Sequence, residues 1–101
     1  MDIRALLCRA DRPWPCAEAV AVVGCESGGD PSARNGDHWG LFQIAYRWHR
    51  DKLLPVAGSD RPEELLRPEV NIDVAEIIYR DRRWSAWACQ PTTSEEQLEA
   101  A

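Results

Sequence analysis

Glu26 stands between two segments of opposite character. Before it runs AEAVAVVGC, the most apolar stretch of the chain, and after it come Ser27, Gly28 and Gly29. A carboxylate at the C-terminal end of a buried helix meets the negative end of the helix dipole and an apolar surround that removes water. Both disfavour its charged form. A carboxyl that keeps its proton near neutral pH is what general-acid chemistry requires. The alternative is a frayed helix end with Glu26 in solvent, and pattern alone leaves both open.

The elements that would position this carboxyl can be read from breakers and periodicity. Residues 2–9 read as a short helix, broken by Pro13 and Pro15, and Pro15 suits the first turn of the next. That next helix, about 15–27, is apolar nearly all round, the mark of a central buried helix. Gly28, Gly29 and Pro31 end it. Residues 30–43, rich in Gly, Asn, Asp and Ser, predict a loop or small β-hairpin. A short helix follows over about 46–54, then a turn over Pro55 to Asp60. Asp60 is placed to cap a helix through 61–66, with Glu63 completing a capping-box-like pair. Pro68 opens a helix over about 68–81 whose apolar face is Val70, Val74, Ile77 and Ile78. RRWSAWAC reads as a turn into a short terminal helix, and PTTSEEQLEAA after Gln90 as a loose polar tail. The class is mostly α (α+β).

Size and composition bound the rest. At 101 residues, 45% hydrophobic, the chain is one domain with one modest core. Residues 1–90 form that domain, with 1–13 as an N-terminal extension and 91–101 as the tail. A net charge of −5 argues against nucleic acid or an anionic membrane as partner. No apolar run approaches a bilayer span, so no membrane insertion is expected. The start, MDIRALLCRADRPWPC, lacks the basic-then-apolar pattern of a signal peptide. Export would follow removal of a signal or another route such as lysis. Cys8, Cys16, Cys25 and Cys89 permit three pairings. With no CxxC pair a zinc site is not expected, and no other metal or cofactor is indicated. Two disulfides and an oxidising compartment are the expectation, free buried thiols the alternative. Cys8 and Cys16 are close enough to pin the N-terminal segment. Cys25 with Cys89 would close a long loop worth roughly 4 kcal/mol.

Four landmarks in order, CESGGDPSARN, GDHWGLFQI, VNIDVA and WSAWAC, resemble the lysozyme-like superfamily. The CESGG form with a second Cys after W-x-A-W is closest to the resuscitation-promoting-factor group. The E-S-x-x-D-P-x-A and P-E-x-N-I elements are also similar to soluble lytic transglycosylases, and GLFQIAYRW to the animal lysozymes. The resemblance covers about residues 14–90. It implies a small lysozyme-like fold in which a helix delivers a glutamate to a cleft edged by a hairpin. It implies cleavage of the β-1,4 bond between N-acetylmuramic acid and N-acetylglucosamine in peptidoglycan. Glu26 matches the catalytic acid, Gly40 and Gln43 the motif on the cleft wall, and Asn71 the asparagine of P-E-x-N-I. Cys25 and Cys89 match the paired cysteines of the resuscitation factors. A monomer acting on glycan strands, outside the cell or in the wall, is the implied setting.

A hydrolase of this kind wants a second carboxylate, whereas a lytic transglycosylase needs only the one. Asp37, three residues before Gly40, is the candidate partner; the animal lysozymes carry theirs one residue nearer the equivalent glycine. After Gly36 it is equally a common turn residue. Sugar rings stack on aromatic faces, and Trp39 and Tyr46 are placed to touch substrate. Of Trp84 and Trp87, one is expected in the core and the other, with Trp84 preferred, at the cleft. Trp14 and Trp48 read as core, His38 and His49 as exposed loop histidines. The acidic balance departs from the basic character of many wall-degrading enzymes, pointing to limited sites, moderate salt or a larger protein supplying wall affinity. Two further readings stay open: a non-catalytic module binding peptidoglycan or chito-oligosaccharide on the same groove, and a disulfide-stapled structural or inhibitor protein.

Overall fold

Each helix begins and ends where the chain supplies a cap or a breaker. In the computed structural model, which describes residues 2–91, Asp2 caps α1 (Ile3–Leu7) by accepting the Ala5 N–H at 3.1 Å. Pro15 precedes α2 (Cys16–Ser27), and Gly28 ends it in the left-handed conformation at φ 65°. The only large apolar side chains on α2 are valines, and burial is confined to Ala19, Val22 and Val23. Ala17 and Gly24 on the opposite side are exposed. All-round apolarity is thus not all-round burial here, because alanine and glycine add little apolar surface to water.

The most deeply buried helix is α5 (Pro68–Arg82), which buries Val70, Asn71, Ile72, Val74, Ala75, Ile78 and Tyr79. Val70, Val74 and Ile78 lie on the expected face, but Ile77 is turned about 100° from Ile78 and is 40% exposed. Between the two helices in sequence comes a three-stranded antiparallel sheet in the order β1 (Arg34–Asn35), β2 (His38–Trp39), β3 (Ile44–Ala45). Arg34 pairs with Trp39, and Trp39 with Ile44. The expected hairpin is therefore present, extended by a third strand from the GLFQI segment. The fold is mostly α with this small sheet.

After β3 come α3 (Tyr46–His49), a 3-10 turn (Arg50–Lys52) and α4 (Leu53–Ala57). Pro55, expected in a turn, sits in the first turn of α4, where a missing N–H costs no intrahelical bond. The turn comes at Gly58, φ 74°. Asp60 does not cap the following 3-10 helix (Pro62–Leu66). Its carboxylate binds Arg50 at 2.9 Å and its carbonyl accepts the Tyr46 hydroxyl at 2.6 Å, tying α3 to this turn. A charge-assisted pair outcompetes a single backbone cap. The terminal helix expected after Arg83 is a 3-10 turn (Arg83–Ala86).

The core is aromatic at its centre. Trp14, Phe42, Tyr79, Trp84 and Trp87 pack with ring centroids 4.7 to 6.3 Å apart. Three indole N–H groups leave the cluster satisfied: Trp14 to Leu7 O, Trp84 to Glu18 Oε1 and Trp87 to Phe42 O, at 2.8 to 2.9 Å. The N-terminal segment belongs to the same core. Leu7 is buried, and Arg12 donates Nε to Leu6 O and Nη1 to Asp73 and Glu76 of α5. No described helix is long and apolar enough to cross a membrane. Of the expected loose tail, 91–101, residues 92–101 lie outside those described.

Both disulfides, Cys8–Cys16 and Cys25–Cys89, are formed, with Cα separations of 4.8 and 5.9 Å. They close sequence intervals of 8 and 64 residues. On the chain-entropy model these contribute about 2.5 and about 4 kcal/mol. Serine replacement of Cys25 and Cys89 together should cost more in guanidinium denaturation than replacement of Cys8 and Cys16, by a margin of about 2 kcal/mol.

Candidate active site

Glu26 lies on the buried stripe of α2, four residues after Val22 and seven after Ala19, so its side chain leans toward the core. It is half-buried. Its Oε2 accepts the backbone N–H of Cys89 at 3.2 Å, next to the disulfide joining Cys89 to Cys25. Oε1 makes no hydrogen bond among the described residues. Two turns earlier on the same face, Glu18 receives the Trp84 indole N–H. The segment 84–89 is therefore sewn to α2 at both ends, and the frayed-end reading of Glu26 does not hold. Ser27 finishes the helix, donating to Val23 O and accepting the Gly29 N–H.

Gly40, Gln43 and Asn71, expected on the cleft wall, form the internal frame of one loop. Gly40 has φ 74°, and a Cβ there would run into Leu65 O and Asn71 Nδ2. Asn71 is fully buried; Oδ1 accepts the Phe42 N–H at 2.9 Å, and Nδ2 donates to Trp39 O and Leu65 O at 2.8 Å. Gln43 holds φ 50°. Its Nε2 donates to Gly40 O and Ala33 O, and its Oε1 accepts from Asn35. Each amide is occupied by the chain's own backbone, so Asn71 and Gly40 do not present groups to a ligand. Gln43 reaches only a small cavity of about 60 Å³, lined also by His38, Ile44, His49, Ile78 and Trp87. Glu26 is not among its lining residues.

Asp37 has a structural task. Its Oδ2 accepts the Arg47 N–H at 3.0 Å and its carbonyl the Tyr46 N–H at 3.1 Å. It thus caps the N-terminus of α3 from the neighbouring turn, where Ala45 offers no side-chain cap. This accounts for Asp37 without a catalytic role.

The aromatic assignments change most. Trp39 is 6% exposed, with the Arg34 guanidinium 3.9 Å over its ring, because the β1–β2 register puts Arg34 beside it. Its indole N–H is buried without a partner among the described residues. Trp84 and Trp87 are both buried in the aromatic cluster, so neither of the pair faces a cleft. Tyr46 is half-buried with its hydroxyl bonded to Asp60 O. Trp48, read as core, is 72% exposed. The sequence carried the signal: the residues three and four positions on, Asp51 and Lys52, are charged, so its helical face points to water.

His49 is not a free loop histidine. It ends α3, half-buried, with Nδ1 buried and unpartnered among the described residues. Burial holds it below the usual histidine value; Lys52 and Arg82 lower it further and Asp51 opposes them. The folded state therefore keeps this imidazole neutral while the unfolded chain takes up a proton near 6.5. Stability contributed here is present above that value and lost as pH falls below it.

Two outcomes follow for solution measurements. Asp37→Ala should lower stability by about 1 kcal/mol in urea denaturation. His49→Gln should flatten the loss of stability seen as pH is lowered through 6.5, read from unfolding midpoints across that range. Compared with family models, curated proteins and solved structures, the chain has no match in any of the three.

Proposed function

We propose that this chain is a peptidoglycan-cleaving glycosidase of lysozyme-like type, with Glu26 as the general acid. The observation carrying the reading is the carboxyl of Glu26. It is half-buried at the end of α2, with one oxygen pinned by Cys89 and the other without a partner among the described residues. Support also comes from the Cys25–Cys89 pairing that the resemblance implies. The free oxygen would donate its proton to the bridging oxygen between N-acetylmuramic acid and N-acetylglucosamine. The C1–O bond breaks as positive charge develops on the ring. The resulting carboxylate then takes the proton of the nucleophile.

Asp37, engaged as the α3 cap, favours the one-carboxylate route, in which the sugar's own C6 hydroxyl closes onto C1 and leaves a 1,6-anhydro end. The two disulfides fit an oxidising, extracellular or wall setting. The glycan-binding module without catalysis is the competing reading.

The test is mass spectrometry of soluble fragments released from purified peptidoglycan, run beside Glu26→Gln. Glutamine can still accept the Cys89 N–H, so the variant should fold. Fragments with 1,6-anhydro ends are expected, with the rate falling on the order of 10²–10⁴-fold in the variant. Reducing N-acetylmuramic ends would mean hydrolysis and return Asp37 to consideration. Undiminished cleavage by the variant would remove Glu26 as the acid, and no release by folded protein would leave the binding module.

A further inference from the structure

The cavity of about 60 Å³ that Gln43 reaches combines apolar walls with two imidazoles. Ile44, Ile78 and Trp87 supply the apolar side, and His38 and His49 the polar one. One water needs roughly 10–15 Å³ of such space, so the cavity has room for a carboxylate carried on one or two carbons. Glu26 does not line it, and the chemistry proposed above makes no use of it.

The two histidines differ in what they offer. His38 is exposed, and its Nδ1 is engaged with the Gln43 carbonyl at 3.1 Å, which fixes the ring at the solvent side. His49 is half-buried with Nδ1 enclosed and unpartnered among the described residues. Its Nε2 is not enclosed in this way. An orphaned lone pair costs less than an orphaned N–H, so the neutral ring keeps its proton on Nε2, a donor for whatever enters.

Two cations flank that donor. Lys52 follows His49 by three residues through the 3-10 turn (Arg50–Lys52), a spacing that puts both on one face. Arg82 follows Ile78 by four residues on α5, and helix side chains lean toward the N-terminus, so Arg82 lies over Ile78. Both cations make His49 harder to protonate, the electrostatic sign that they stand close to it, and Asp51 opposes them. Asp51 meets Lys52 only at 3.6 Å, with its own side chain 77% exposed. Arg82 makes no ion pair among the described residues. Positive charge therefore gathers at this cavity in a chain whose net charge is −5.

We propose that the cavity binds a small carboxylate, with its short apolar stem against Ile44, Ile78 and Trp87 and one oxygen taking the His49 Nε2–H. Arg82 and Lys52 supply the counter-charge. The carboxylate is either a free small anion or the end of a wall-peptide side chain. The site stands independently of the glycosidase reading.

The test is an NMR titration of the whole chain with sodium acetate at neutral pH, against sodium chloride at equal ionic strength. Saturable shifts of the Ile44 and Ile78 methyls and the His49 ring are expected with acetate alone. Arg82→Gln and Lys52→Gln should each weaken binding about 3–5-fold, and Asp51→Asn should strengthen it. Arg80→Gln, whose parent residue pairs with Glu76, should change nothing. Acetamide, of the same shape without the charge, should leave the methyls unmoved. Tighter binding of N-acetylmuramyl-L-alanyl-D-isoglutamine than of acetate would support the site and assign it to wall peptide; weaker binding would support it as a site for free small carboxylates. Absence of saturation by acetate would overturn the proposal. So would acetamide binding as well as acetate, or affinity indifferent to Arg82→Gln and Lys52→Gln.

Discussion

Cys89 is held twice by consecutive residues of α2, its sulfur by Cys25 and its N–H by Glu26. The covalent bond makes the weaker one possible. A hydrogen bond contributes about 1 kcal/mol net, and ordering one residue of backbone costs about 1–2 kcal/mol. Alone, the Glu26 contact could not hold a segment 63 positions away in sequence. With the disulfide in place the two stretches are already neighbours, and the N–H meets the carboxylate at little further entropic cost. The position of the catalytic candidate is thus set by a cysteine pair, reinforced at the other end of α2 by Trp84 on Glu18.

The same segment passes the constraint on to the loop over the sheet. Trp87 donates to Phe42 O, and the Phe42 N–H is donated to Asn71 of α5. Loop 39–43 leaves backbone groups that strands β2 and β3 do not pair, and one buried amide satisfies Phe42 N–H, Trp39 O and Leu65 O together. That close approach leaves no room for a side chain at position 40. It also places Gln43 at a positive φ, a strain of about 1–2 kcal/mol offset by three side-chain hydrogen bonds. The polar residues that resemblance assigned to substrate thus work inward. Of the aromatic and acidic candidates, Trp48 is exposed and Glu26 is half-buried with one oxygen unpartnered among the described residues.

Local signals are legible where one residue decides the backbone. Pro15, Gly28 and Pro68 mark helix ends because caps and breakers act within a turn. The mostly α class follows from the same kind of reading, whereas the cysteine count leaves three pairings open and Cys25–Cys89 is the pair that the resemblance implies. Long-range competition was not legible. Asp60 could cap a helix or pair with Arg50, and only the fold brings Arg50 to it. Asp37 could serve catalysis or a turn, and its real partner, the Arg47 N–H, lies ten residues on. The tryptophans are illegible for a related reason. Indole burial depends on which element covers it, so Trp39 under Arg34 and Trp48 on a one-turn surface helix exchanged roles.

The central claim is that Glu26 delivers a proton to a glycosidic oxygen from a place fixed by Cys89. A crystal structure of Glu26→Gln with a muramic-acid-containing tetrasaccharide tests it most directly. The account predicts residue 26 still bonded to the Cys89 N–H, with its other polar atom about 3 Å from the bridging oxygen of a bound MurNAc–GlcNAc unit. A glycan bound elsewhere, with residue 26 in place and no sugar within reach, would contradict it.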